Sequence, residues 1–176
     1  MLEIFIGDYP SFFSSQKRLL ETTGIDVTPY PVSHLAFRAR VHNEYLELRD
    51  GIETLCRANV ENQWSGRPIS KLLLQEPVQL DNRHHVDLIE LIPPAHQPGY
   101  PMGLEHVGFV VGDEFEEFGR RHRDVLTGQQ DQGPINQPYI ITFRNGRSVK
   151  FHRYSLQEVV EKEGRTFDGF HHVDSP

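Results

Sequence analysis

The sequence predicts an α+β fold in which two βαβββ modules form one curved mixed sheet, with helices outside it and a helical extension at the N-terminus. Three observations support this prediction. A strand-like phrase that begins with a histidine occurs twice, each copy precedes a helical pattern, and each helical pattern precedes further strand-like segments. Internal repetition of this kind is typical of a fold built from two copies of one supersecondary unit.

The N-terminal extension, residues 1–31, has no counterpart in the second half of the chain. Its residues 8–23 have apolar side chains at helical spacing, and Asp8 is placed to cap the helix. Gly24 marks the end of this helix. The extension is therefore predicted to be an addition to the repeated unit.

Module one is predicted to cover residues 32–94, because strand and helix patterns alternate within it. The phrase at its start, Ser33-His34-Leu35-Ala36-Phe37-Arg38, alternates between the two faces of a strand. The predicted elements are a strand at 34–39, a helix at 42–57 and strands at 59–65, 69–76 and 84–92.

A proline-rich connector, residues 93–101, separates module one from module two, residues 102–163. Module two begins with the second copy of the phrase, Glu105-His106-Val107-Gly108-Phe109-Val110, 72 residues after the first. Its predicted elements are a strand at 105–111, a helix capped by Asp113 that ends near 125, a loop or weak strand at 128–137, and a hairpin of 138–144 and 148–154 around Asn145-Gly146.

The chain ends with a helix that Ser155 and Glu158 are placed to cap, followed by a tail, residues 164–176, that we expect to be irregular. At 176 residues the chain has the length of one domain, and we expect residues 1–176 to form a single one. A domain of this size buries roughly 70% of the surface of its unfolded chain, so it needs no disulfide bonds.

The composition excludes several classes of function. The net charge of −7 disfavours a nucleic-acid-binding surface, which needs clustered Lys and Arg. The single cysteine, Cys56, excludes an internal disulfide and a thiolate cluster, and fits a reducing compartment. No apolar run has the length of a membrane span, and the N-terminus does not resemble a signal peptide. We therefore expect a cytoplasmic protein with no nucleic-acid or membrane partner.

Strand parity places the candidate functional residues on one face of the sheet. Side chains alternate across a strand, so the apolar residues of the repeated phrases and of the closing strands would lie under the helices. The opposite face would then contain His34, Arg38, Glu90, His106, Lys150, His152 and Tyr154.

Four of these residues are candidate metal ligands: His34, Glu90, His106 and His152. If the modules join in one sheet, the two strand-start histidines lie on adjacent strands. Three imidazoles and one carboxylate suit Zn, Ni, Fe, Co or Mn better than Ca or Mg. A single histidine at a strand start is more often a hydrogen-bonded structural residue, but its repetition at matched positions favours a shared divalent transition-metal site.

Other histidines are weaker candidates. Adjacent strand residues point to opposite faces, so at most one of His84 and His85 could join the site. His171-His172 lies in the predicted tail, and His42, His96 and His122 are predicted to be surface residues.

With its two βαβββ modules and this order of ligands, the sequence resembles the vicinal oxygen chelate superfamily, which includes glyoxalase I, extradiol dioxygenases and bleomycin-resistance proteins. More narrowly it resembles the YecM-like family, on the phrases His34-Leu35-Ala36-Phe37-Arg38, Glu90-Leu91-Ile92-Pro93-Pro94, Leu104-Glu105-His106-Val107-Gly108-Phe109 and Val149-Lys150-Phe151-His152. The resemblance implies a divalent metal held by His34, Glu90, His106 and His152. The sequence departs at His152, where glyoxalase-like members often have Glu.

Two classes of function follow. The first is a metal-dependent isomerase, lyase or dioxygenase acting on a small oxygen-bearing molecule, with Glu90 as ligand or catalytic base. Arg38, Lys150 or Tyr154 would hold an anionic group of the substrate. The alternative is a non-catalytic protein that binds or sequesters a small molecule in the same pocket. The sequence does not distinguish the oligomeric states.

Overall fold

The computed structural model describes residues 1–94 and 99–173. Residues 95–98, which include His96 and part of the predicted connector, and residues 174–176 lie outside the described part. The strands are β1 (Val32–Arg38), β2 (Cys56–Trp64), β3 (Arg67–Gln79), β4 (His85–Ile92), β5 (Gly103–Val110), β6 (Gly128–Gln129), β7 (Tyr139–Thr142), β8 (Ser148–His152) and β9 (Phe170–His171). The helices are α1 (Glu3–Ile6), α2 (Tyr9–Glu21), α3 (His42–Glu53), α4 (Phe115–Arg121) and α5 (Leu156–Lys162).

The described strands form one mixed sheet in the order β6-β7-β8-β5-β1-β4-β3-β2-β9, which confirms the predicted α+β fold. The two modules meet at β1 and β5, which pair antiparallel. Within module one β4 pairs parallel with β1, and within module two β8 pairs parallel with β5. The repeated phrase therefore occupies matched central strands.

The main hydrophobic core lies between the sheet and the N-terminal and crossover helices. Phe13 of α2 and Tyr45 of α3 are buried in it with Leu35, Phe109 and Phe151 of the sheet. These strand residues were assigned to this face by parity. Among the described residues, no helix has both the length and the apolar character needed to cross a membrane.

Helix α5 packs on the opposite face, the one that contains the candidate ligands. Leu156 of α5 forms a small apolar cluster with Ala58, Leu73 and Leu88. Side chains of α5 also line a cavity together with Glu90. The face of the sheet that contains the candidate ligands is thus partly covered.

Two predicted helix caps are present. The Asp8 side chain accepts a hydrogen bond from the backbone N–H of Ser11 at 3.0 Å. Ser155 and Glu158 form the predicted reciprocal capping box. These polar contacts satisfy backbone N–H groups that the first turn of each helix leaves free.

Some boundaries differ from the sequence prediction. Asp113 does not cap α4, because residues Gly112–Glu114 form a 3-10 turn and place Asp113 inside it. Helix α3 ends at Glu53 rather than near residue 57, because Cys56 already pairs with β3. The tail is not wholly irregular, since β9 pairs parallel with β2 at the edge of the sheet.

Candidate metal centre

Three of the predicted ligands, His34, Glu90 and His106, come together in the structure. Their donor atoms all lie within 4.8 Å of one another. Nε2 of His106 is 3.3 Å from Nε2 of His34 and 3.3 Å from Oε2 of Glu90. Nε2 of His34 is 3.8 Å from the same carboxylate oxygen.

These spacings fit one transition-metal ion. Two donors held about 2.1 Å from an ion stand about 3.0 to 3.4 Å apart in tetrahedral or octahedral coordination. The observed distances need only small adjustments to reach that range. Both imidazoles are almost fully buried, at 1% exposure for His34 and 0% for His106.

A β-bulge precedes each histidine. From Val32 to His34 the chain advances two residues on β1, but the paired residues on β5 advance only one, from Phe109 to Gly108. Ser33 is therefore the extra residue on β1. Ala36 pairs with His106 and the next residue of β1, Phe37, pairs with Leu104, so Glu105 is the extra residue on β5. A bulge turns the extra side chain out of the regular alternation, and here it brings each one beside the histidine that follows it.

The two bulge residues orient the imidazoles. Ser33 Oγ lies 2.9 Å from Nδ1 of His34, and Glu105 Oε1 lies 3.1 Å from Nδ1 of His106. When each Nδ1–H donates to these oxygens, each Nε2 keeps a lone pair that faces Glu90. Hydrogen-bonded partners of this kind fix the tautomer of metal-binding histidines. Sequence reasoning missed both roles, although both residues precede the histidines in the repeated phrase.

Gly108 makes room for the His34 ring. It pairs with His34 across β1 and β5. A Cβ atom at position 108 would lie 2.7 Å from Nδ1 of His34 and closer still to Cε1. Only glycine therefore allows this ring position without a shift of the ring or the strand.

The electrostatics favour a neutral imidazole at His34 and an ionised carboxylate at Glu90. Burial lowers the pKa of His34 to about 3, although the charge of Glu90 opposes this shift. Burial alone would raise the pKa of Glu90, but contact with His106 and the nearby charge of Lys150 hold it well below its usual range. Burial also lowers the pKa of His152 far below that of free histidine. Neutral histidine and ionised glutamate are the forms that bind metals.

A second carboxylate, Glu105, contacts Nδ1 of His106, the ring nitrogen on the side away from Glu90. It accepts a hydrogen bond from Arg38 Nε as well as contacting His106. These interactions outweigh its burial and lower the pKa of Glu105 to about 2. Arg38, Glu105 and His106 thus form a continuous buried chain.

His152 lies beside the three-residue group without belonging to it. Its ring centroid is 5.3 Å from that of His34. Its Nε2 is buried and has no hydrogen-bond partner among the described residues. Register places His152 opposite Val110, whereas Lys150 lies opposite Gly108.

The three predicted substrate-binding residues have different surroundings. Arg38 and Lys150 line a cavity of about 200 Å³ beside Glu90. Tyr154 lies beyond the end of β8, packs against the amino group of Lys162, and does not line either cavity beside Glu90. Lys71, which the sequence did not single out, is buried opposite Glu90 on β3, and burial lowers its pKa.

The competing histidines have other partners or are exposed. His84 is buried, and its ring nitrogens contact Asp81 at 2.9 Å and the carbonyl of Val27 at 3.2 Å. His85 is exposed on β4. His171 and His172 contact carboxylates away from the centre, those of Asp168 and Glu53. His42 is exposed, and His122 is half-buried against Phe118.

Comparison with known proteins identifies the family. The family model described as "YecM protein" matches residues 2–135, which is more than half of the chain. The chain belongs to the YecM family. A YecM relative, "Protein YecM" of Escherichia coli (strain K12), is 25% identical over 179 residues and covers 92% of this chain and 94% of its own length. The family resemblance of the sequence is thereby confirmed.

A solved structure supports the same fold. "Structural Genomics, Protein EC4020" superposes with a TM-score of 0.71 at 24% identity and 92% coverage of both chains. A weaker likeness, with a TM-score of 0.41 at 15% identity, involves 2,2',3-trihydroxybiphenyl 1,2-dioxygenase from Sphingomonas wittichii strain RW1 and covers 69% of this chain and 39% of that one. The YecM family and its fold are the conclusions that these comparisons support.

Proposed function

We propose that the chain binds one divalent transition-metal ion, Zn, Ni, Fe, Co or Mn, through His34, Glu90 and His106, and acts on a small oxygen-bearing molecule in the manner of the vicinal oxygen chelate superfamily. The observation that supports this most strongly is the convergence of two Nε2 atoms and one carboxylate oxygen from three adjacent strands. His152 remains the predicted fourth ligand, and its unpartnered Nε2 is available beside His34.

The bound ion would act as a Lewis acid that polarises neighbouring substrate oxygens and stabilises developing negative charge. The residues of the chain supply the remaining features of the site. Ser33 and Glu105 hold the imidazoles in the metal-binding tautomer, and Glu90 lines the cavity that the substrate would enter. Two histidines and one carboxylate leave coordination positions open, an arrangement also found in Fe(II) oxygenases.

Non-catalytic binding is the alternative, and one observation favours it. Of the two carboxylates that contact His106, Glu90 is the one left to accept a proton, because Glu105 is already paired with Arg38 and His106. A site with one such carboxylate is less suited to moving a proton between substrate atoms. Sequestration of a small molecule would use the same cavity and ion.

Equilibrium metal binding tests the proposal. Protein without a histidine tag is stripped with chelator, equilibrated with each candidate metal and assayed for bound ion by plasma mass spectrometry. We expect one ion per chain, lost in His106→Ala and retained in the matched control His85→Ala, whose histidine is exposed. Absence of stoichiometric metal at micromolar concentration, or full metal content in His106→Ala, would refute the proposed centre. Turnover of diketo, hydroxy-acid or catechol compounds by the loaded protein then separates catalysis from sequestration.

A further inference from the structure

The cavity of about 200 Å³ beside Glu90 is built from both modules. The β2–β3 hairpin contributes Trp64 and Arg67, and the segment that follows α4 contributes Gln130. Lys150 and Glu90 lie on the sheet side of it. The cavity is smaller than the roughly 300 to 1,000 Å³ typical of drug-sized ligand pockets, so its occupant is small.

The charged groups of this cavity are unevenly paired. Arg38 and Glu105 neutralise each other in a direct ion pair. Glu90 faces His34 and His106, where the proposed function assigns its charge to a metal. Arg67 and Lys150 remain, and neither forms an ion pair with another described residue.

Of the two remaining cations, Lys150 is buried and Arg67 is half-buried. Lys150 is 8% exposed and makes no side-chain hydrogen bond to the described part of the chain. Nη1 of Arg67 is buried and has no hydrogen-bond partner among residues 1–94 and 99–173. A buried cation without a partner is costly, because it has lost its water without gaining an opposite charge. Buried Lys150 and the buried Nη1 of Arg67 line the same cavity, and together they indicate a site for an anion.

The hairpin fixes the position of Arg67. Trp64 pairs with Arg67 across a two-residue turn whose residues, Ser65 and Gly66, have φ of 51° and 73°. Positive φ at both central positions defines a tight hairpin turn whose twist matches that of the strands. Arg67 therefore starts β3 from a well-defined turn, which favours a preorganised contact.

We propose that the ligand of this cavity is a small organic oxyanion whose carboxylate or phosphate-like group binds between Arg67 and Lys150. This proposal rests on the proposed metal site. The planar guanidinium group of Arg67 suits paired hydrogen bonds to two oxygens, and Lys150 adds a second positive charge. Gln130 also lines the cavity, and the Nε2–H groups of its amide can donate hydrogen bonds to the oxyanion. The oxygen-bearing part of the ligand then faces Glu90.

Anion binding by metal-free protein tests this assignment independently of the metal. Inorganic phosphate and oxalate are titrated calorimetrically into chelator-stripped protein at physiological ionic strength. We expect at least one of them to bind with millimolar Kd, and affinity to fall about ten-fold or more in Arg67→Gln and in Lys150→Gln. Arg57→Gln, which alters an exposed arginine of β2, is the matched control and should bind as the wild type does.

The outcomes separate the two proposals. Phosphate binding that survives in His106→Ala, together with normal metal content in Arg67→Gln, would support two distinct subsites. Preference for phosphate or for oxalate would identify the class of oxyanion. Failure of both anions to bind wild-type protein, or equal binding by Arg67→Gln and Arg57→Gln, would overturn the anion subsite and leave the metal centre untouched.

Discussion

Lys150 occupies on β8 the sheet position that Glu90 occupies on β4. Each lies opposite the residue two positions after the strand-start histidine of its own module. The internal repeat therefore matches a carboxylate with an ammonium group across the candidate centre. This asymmetry gives one half of the site a candidate metal ligand and the other half a buried lysine.

Substitution Lys150→Glu should restore the carboxylate that the repeat lacks. The metal-free variant should be less stable than the wild type, because a further buried carboxylate is added near Glu90 and Glu105. Added metal should neutralise it, so metal affinity should rise on the order of ten-fold. Thermal melting with and without metal measures both effects. Lys150→Gln is the control, and equal metal affinity in the two variants would contradict the equivalence of positions 90 and 150.

Gly108→Ala should weaken metal binding by displacing His34. The added methyl group would occupy the space of the His34 ring and turn its Nε2 away from Glu90. We expect a loss of affinity of about ten-fold or more, since ligand orientation governs metal binding. Competition with a chelating dye measures it. Gly128→Ala, at a position with open space, should bind metal normally; equal affinity in the two variants would count against the glycine's role.

Glu105→Gln should reduce metal affinity although Glu105 is not a ligand. The substitution removes the negative charge that contacts Nδ1 of His106 and leaves Arg38 without its partner. Loss of such a supporting partner typically costs about 10- to 100-fold in metal affinity. Glu76→Gln alters an exposed glutamate and serves as the control. Unchanged affinity in Glu105→Gln would show that the bulge contact does not tune the histidine.

The metal-free protein should lose stability as the pH falls below the pKa of free histidine. The pKa of His34 is near 6.5 when unfolded and about 3 when folded, so between these values only the unfolded chain takes up the proton. The free energy of unfolding should then decrease by up to about 1.4 kcal/mol per pH unit for this group. Urea denaturation at a series of pH values from about 7.5 to about 5, which spans the unfolded pKa, measures how the free energy of unfolding changes with pH. His34→Gln should show a shallower slope, and an unchanged slope would contradict the buried neutral state.

Much of the centre could be predicted from the repeated phrase and from strand parity. Parity assigned His34, His106 and Glu90 to one face, and the repeat placed the two histidines on neighbouring strands. Parity does not change when a strand shifts by two residues, however. The sequence therefore could not tell whether Lys150 or His152 stands opposite the middle of β5.

The supporting contacts were not predictable from alternation. Regular alternation places Ser33 and Glu105 on the face opposite the histidines, and only a bulge at each position reverses this. Strand β9 was also missed, because its two residues form a strand only through pairing with the exposed edge of β2. Both features depend on contacts between distant segments rather than on local sequence.

The central claim is that His34, Glu90 and His106 hold one metal ion. Crystals of metal-loaded protein, measured above the absorption edge of the bound metal, test it most directly by anomalous scattering. We predict one strong anomalous peak per chain, bonded by Nε2 of His34, Nε2 of His106 and the Glu90 carboxylate. Absence of a peak at this position under saturating metal, or a peak held only by other residues such as His171 and His172, would contradict the account.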